Sequence, residues 1–203
     1  MMSRASTGPS VQTSSERKNI VLVGMMGAGK SAVARRLAKA LGARAVDTDD
    51  IVEQRAGMTV AQIFETMGEE AFRDAESAAI AELGNVVGAA VVSLGGGSVL
   101  REANRAAIRA YGTVVWLRAS PATLAARVGA GQGRPLLWSP TVVPEGPLGR
   151  LLRDSSPALA LSRLAEEREP LYAEVADIAI DVDDLSEEAV VGRVLAEMGS
   201  PER

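Results

Sequence analysis

The chain has 203 residues, 47% of them apolar but only 3% aromatic, enough for one domain with a core built from Val, Leu, Ile and Ala. Its net charge of −4 argues against a nucleic-acid partner, and no apolar run approaches the ~18 residues of a membrane span. With neither Cys nor His, it has no disulfide, thiolate nucleophile, cysteine zinc site or imidazole base, so any base is a carboxylate, a Lys or a Tyr.

Residues 1–17 are rich in Ser and Thr and read as a disordered tail ahead of a single domain over 18–199. Residues 19–23 form a short apolar strand that runs into Gly24-Met-Met-Gly-Ala-Gly29-Lys30-Ser31. This matches G-x-x-x-x-G-K-[ST], the phosphate-cradling P-loop. From Lys30 to Leu41 the apolar spacing is helical, ending at Gly42. A strand that breaks into glycines and then opens a helix aims backbone N–H groups and the positive helix end at one point, as polyphosphate requires. Gly27, Ala28, Gly29, Lys30, Ser31 and Ala32 are therefore expected to hold a nucleotide. In this reading Lys30 reaches the β- and γ-phosphates and Ser31 gives its hydroxyl to Mg²⁺.

The second strand, 44–47, ends in Asp47-Thr48-Asp49-Asp50. In an extended segment Asp47 and Asp49 face the same way, one for the metal shell and the other for a substrate proton. The alternative is that Asp49 or Asp50 caps a helix starting at Ile51. Thr59-Val-Ala-Gln62 reads as a capping box, and a longer helix spans Glu69 to Leu83. A third strand, 89–94, places Ser93 near the metal shell and ends in Gly95-Gly96-Gly97, where backbone is able to approach a ligand closely. After a strand at 113–117, Ser120-Pro121 opens a further helix. Between about 128 and 157 the chain is rich in Gly and Pro, which reads as a lid. A strand at 177–181 and a helix from about Ser186 to Met198 follow. Strands alternating with helices give an α/β class with a parallel sheet. Arg73, Arg134 and Arg168 stand out as guanidinium forks suited to carboxylate or phosphate.

The P-loop, D-T-D, F-R-x-x-E, S-L-G-G-G, R-P-L-L and R-x-P-L-Y occur in this order from about Asn19 to Met198, and together they resemble shikimate kinase. The resemblance implies a three-layer α/β/α P-loop kinase with a five-stranded parallel sheet in order 2-3-1-4-5, a substrate-binding helical region at about 49–83 and a lid. It implies transfer of the ATP γ-phosphoryl group to the 3-hydroxyl of shikimate, a step of aromatic amino-acid biosynthesis. Asp47 would then bind Mg²⁺ through its water shell, with Ser31. Asp49 would bind the shikimate hydroxyls and act as the base or orienting carboxylate. Arg73 and Arg168 would clamp the substrate carboxylate, and Gly95, Gly96 and Gly97 would hold the ring. Arg134 would be the lid arginine, Arg127 would stack on adenine, and Phe64 and Phe72 would wall the substrate region. A cytoplasmic monomer acting on a small molecule, without membrane or nucleic acid, is the expected context. Two departures stand out: a Pro-rich insertion from Trp138 to about Ser156, and Asp183 where an Asn is more usual. The competing readings are a gluconate-type P-loop kinase and a non-catalytic nucleotide-binding relative.

Overall fold

Three strands buried along their length, between two whose ends reach solvent, make a parallel sheet covered on both faces. The computed structural model describes residues 19–129 and 157–199. Strands β1 (Ile20–Val23), β2 (Arg44–Asp47), β3 (Ala90–Ser93), β4 (Thr113–Arg118) and β5 (Ile178–Asp181) pair in parallel in the order β2-β3-β1-β4-β5. Each lies where the apolar runs placed it, with only its ends adjusted. The register sets Asp47 opposite Ser93, so the last residues of β2 and β3 meet at the carboxyl edge, next to the end of β1. That edge is where ligands bind in open α/β sheets.

The helices are α1 (Lys30–Leu41), α2 (Thr48–Ala56), α3 (Val60–Thr66), α4 (Gly68–Ala81), α5 (Glu102–Tyr111), α6 (Pro121–Gly129), α7 (Pro157–Val175) and α8 (Glu187–Gly199). The capping box is complete: Gln62 N–H donates to the Thr59 hydroxyl, and Thr59 N–H donates to the Gln62 side chain. Ser120 caps α6 by accepting from Thr123 N–H.

Two expectations need correction. α2 starts at Thr48 rather than Ile51, and its cap is Asp47, whose carboxylate accepts from Asp49 N–H. As the last strand residue, Asp47 already has the extended backbone that an N-cap requires, so neither Asp49 nor Asp50 is needed there. Asp47 and Asp49 are thus related by a cap and a first helical turn, not by strand alternation. The helix expected to reach Leu83 stops at Ala81 and tightens into a 3₁₀ turn over Glu82–Asn85. The tail at 1–17, Arg134 and the Pro-rich insertion lie outside the described residues.

The main core packs both faces of the sheet, with Val21, Leu22, Val92, Val115 and Leu117 fully buried. A second, smaller core of Val52, Val60, Ile63, Phe72 and Ala79 binds α2, α3 and α4 together. Fully burying one such side chain contributes about 1.5–3 kcal/mol, so this cluster gives the α2–α4 region support of its own. Phe72 is buried in it, with the Phe64 ring 4.6 Å away centroid to centroid. No described helix is long and apolar enough to cross a membrane.

Gly24 is the residue that turns β1 into the loop. Its φ is +138°, and an added Cβ would overlap the Leu117 carbonyl oxygen. Gly24→Ala is expected to cost at least about 1–3 kcal/mol from backbone conformation alone. Denaturant unfolding measures this cost, and a midpoint equal to the parent's would show that the loop relaxes freely.

Candidate active site

A cavity of about 420 Å³ opens at the carboxyl edge of the sheet. One wall is the loop from Gly27 to Ala32; Asp49, Gly95 and Gly96 form another, with Arg127 and Val182 at the far end. The P-loop supplies the first wall because Gly27 and Gly29 both take positive φ, leaving the N-terminus of α1 bare toward the cavity. Lys30 is buried, and its ammonium donates to the Gly24 and Met25 carbonyls at 2.8 and 2.9 Å. These contacts fold the lysine back along its own loop, next to the bare helix end.

Ser31 Oγ donates to Asp47 Oδ2 at 2.7 Å, and Ser93 Oγ is 3.2 Å away. A hydroxyl has one proton, and Ser31 gives its own to Asp47, so Ser93 is the donor to Ser31. Two hydroxyls and a carboxylate therefore converge beside the phosphate loop. Hard oxygen ligands of this kind suit Mg²⁺, which keeps several waters and is held by one or two carboxylates together with substrate phosphates. Among the described residues no group of three or more acidic, His or Cys side chains forms a cage for a metal. The oxygens present fit a metal that arrives with a nucleotide.

The wall opposite the phosphate loop is built around the glycine loop. Thr48, fully buried, donates to the Ser93 carbonyl at 3.4 Å and accepts from Gly95 N–H at 3.3 Å, tying α2 to the end of β3. A Cβ at Gly95 would overlap the Glu76 carboxylate, and one at Gly97 would overlap the Arg73 guanidinium. With no Cβ at either position, the chain passes this close to both groups without displacing them. Arg73 and Glu76, three residues apart on one face of α4, are paired at 2.8 Å; Glu69 adds a longer contact of 3.3 Å. The Arg73 guanidinium also lies 5.1 Å from the centroid of the Phe72 ring. Phe72 therefore acts on the site as a support beneath Arg73.

Arg168 comes from α7 on the opposite side of the loop, with Nη1 3.4 Å from the Gly96 carbonyl. Arg73 and Arg168 are 7% and 3% exposed, yet the Nε atom of each has no hydrogen-bond partner among the described residues. Buried donors of this kind are normally satisfied, so two of them flanking one loop indicate an anionic ligand. Glu76 responds to its burial, which pushes its carboxyl above the ordinary range despite the downward pull of Arg73.

At the far end, Arg127 Nη2 donates to the Val182 carbonyl at 3.0 Å. The Asp183 carboxylate is held below its usual range, first by a hydrogen bond from the Thr123 hydroxyl and then by Ser120 N–H. Asp183 is thus occupied at the N-terminus of α6, and its neighbour Val182 lines the cavity. Gathered at the cavity or directly behind it are Lys30, Ser31, Asp47, Asp49, Arg73, Gly95–Gly97, Arg127 and Arg168. Three contributors were not assigned roles from sequence: Thr48, Glu76 and Tyr172. Glu76 had a legible signal in its i,i+3 spacing from Arg73, whereas nothing local marks the partners of Thr48 or Tyr172.

The family model for shikimate kinase matches residues 26–199. The shikimate kinase of Symbiobacterium thermophilum is 46% identical over 185 residues, covering 89% of this chain and 95% of that protein. A solved structure, shikimate kinase from Acinetobacter baumannii in complex with shikimate, has a TM-score of 0.77 at 32% identity, covering 91% of this chain and 94% of that one. A gluconokinase from Sinorhizobium meliloti shares the fold, with a TM-score of 0.53 at 19% identity.

Proposed function

Since the chain belongs to the shikimate kinase family and transfers a phosphoryl group from ATP to the 3-hydroxyl of shikimate, we propose the following division of labour among its residues. Gly27–Ala32 wrap the ATP phosphates with backbone N–H groups at the head of α1. Lys30 exchanges part of its hold on the Gly24 and Met25 carbonyls for the β- and γ-phosphates. Ser31 and Asp47, with Ser93 behind them, are the side chains that would hold Mg²⁺. When bound, Mg²⁺ neutralises charge on the phosphates. Asp49 orients the acceptor hydroxyl and takes its proton. Arg73 and Arg168 receive the acceptor carboxylate, the glycine loop holds its ring, and Arg127 lies along the adenine. Arg134, outside the described residues, is assigned to the transferring phosphoryl group by resemblance to the family's lid. A loose, metaphosphate-like transition state needs cations more than a strong base, which is why a chain without His can run this chemistry. We propose a cytoplasmic monomer for its setting.

The observation that carries the acceptor assignment is the pair of buried guanidinium groups, each with an unused Nε, on either side of a glycine loop. Shikimate offers one carboxylate and several hydroxyls, which matches two cations, one buried aspartate and backbone N–H groups. An ADP-release assay with ATP, Mg²⁺ and a panel of shikimate, quinate and gluconate tests the reading; turnover with gluconate in place of shikimate would overturn it. Arg73→Ala is expected to raise KM for shikimate by at least about tenfold, since a charge-assisted bond contributes roughly 1.5–3 kcal/mol. KM for ATP should hardly move, and an equal rise in both constants would mean that the clamp is misplaced.

A further inference from the structure

α7 brings a second side chain to the glycine loop, one turn beyond Arg168. Tyr172 is fully buried, and its hydroxyl donates to the Gly96 carbonyl, the same oxygen that Arg168 Nη1 reaches at 3.4 Å. Met25 Sδ of the phosphate loop lies 3.7 Å from that hydroxyl. The tyrosine ring is fixed by Trp116 on β4, with 5.9 Å between ring centroids. The peptide around Gly96 is thus wedged between α7 and the donor loop, and a Cβ on Gly96 would come within 3.3 Å of Met26 N.

We propose that Tyr172 is a positioning residue for the acceptor, its hydroxyl fixing the orientation of the Gly96–Gly97 peptide that the acceptor meets. A trans peptide is planar, with its C=O and N–H pointing in opposite directions. Holding the Gly96 oxygen toward α7 therefore holds the Gly97 N–H on the other side, where Gly97 lies against the Arg73 guanidinium. A run of three glycines has no side chains to set its own peptide planes, so an outside restraint decides them. Arg168 supplies little of that restraint, because a contact of 3.4 Å is long for an N–H···O bond. The phenol has one rotor and a ring locked in the core, and burial raises its pKa so that it remains a proton donor. This division leaves the Arg168 guanidinium available to the acceptor carboxylate while the tyrosine holds the loop.

The inference rests on the reading of Gly95–Gly97 as acceptor-binding backbone, and two variants separate the claims. Tyr172→Phe keeps the ring and removes only the donor. It is expected to raise KM for shikimate roughly 5- to 15-fold, the loss of one buried hydrogen bond, with KM for ATP unchanged and kcat altered much less. An unchanged KM for shikimate overturns the proposal. So does an equal rise in both KM values with a lowered Tm, which would make Tyr172 a core residue only. Gly97→Ala tests the proposed acceptor pocket independently of the tyrosine, because its Cβ displaces the loop or the Arg73 guanidinium packed against it. If it leaves KM for shikimate unaltered, the loop reading fails; if it raises KM while Tyr172→Phe does not, only the tyrosine's role fails. Should Tyr172→Phe fail to fold, the chain's two tyrosines allow a direct measurement. With 3-fluorotyrosine incorporated and Tyr111→Phe used for assignment, the Tyr172 ¹⁹F signal should shift when shikimate is added. A signal that ignores shikimate overturns the proposal.

Discussion

Asp49→Asn is expected to lower kcat by about 10²–10⁴ while ATP affinity stays at the parent value. The substitution is nearly isosteric and keeps an oxygen that accepts hydrogen bonds, so it removes the charge and basicity of Asp49 and little else. Its backbone role survives, because the cap of α2 is the Asp47 carboxylate accepting from the N–H of residue 49, which Asn retains. Lys30, Ser31 and Asp47 on the donor side keep their contacts with one another and with the loop. Steady-state kcat by ADP release, together with ATP titration, separates the two halves of the site. Turnover near the parent's would remove Asp49 from the proton-accepting role. An equal loss of ATP affinity would mean that Asp49 serves the nucleotide instead.

The strands were legible because each is a short apolar run closed by Gly, Asp or a Ser-Pro pair, and burial of the central three follows directly from composition. Strand order was not legible from periodicity, which reports a face and not a neighbour; it came from the family resemblance. The Asp47–Asp50 cluster shows where local reading stops. All of its carboxylates are plausible caps, and the choice fell to Asp47 because strand pairing with Ser93 had already given it extended backbone. The partners of Arg73 and Arg168 divide the same way. The i,i+3 pairing of Arg73 with Glu76 is written into a helix, whereas Arg168 and Tyr172 reach Gly96 across more than seventy positions. α7 was not legible as a helix; it carries Pro170 inside it, a residue that cannot donate to the helix ladder.

Glu76→Ala is expected to destabilise the fold by about 3 kcal/mol, the lower end for breaking a buried ion pair. Arg73 is buried with it, and Glu69 at 3.3 Å, on the less buried side, keeps part of the charge compensated. For a chain of this size the loss corresponds to a fall in Tm of roughly 6–12 °C. Glu76→Gln adds a test of sign. Burial raises the carboxyl above its ordinary 4.5, with Arg73 opposing but not reversing the shift. The folded state then holds a proton that the unfolded chain has already released, so Glu76's contribution is full below 4.5 and is lost as pH rises through the raised folded value. The stability of the parent relative to Glu76→Gln should therefore fall as pH rises above 4.5. A relative stability that rises instead would mean that Arg73 dominates and lowers the Glu76 pKa. In the proposed clamp the same competition reaches the acceptor: Glu76 and Glu69 already take one N–H each from Nη1 and Nη2 of Arg73, so a third carboxylate would share the guanidinium with them through its remaining donors, Nε included.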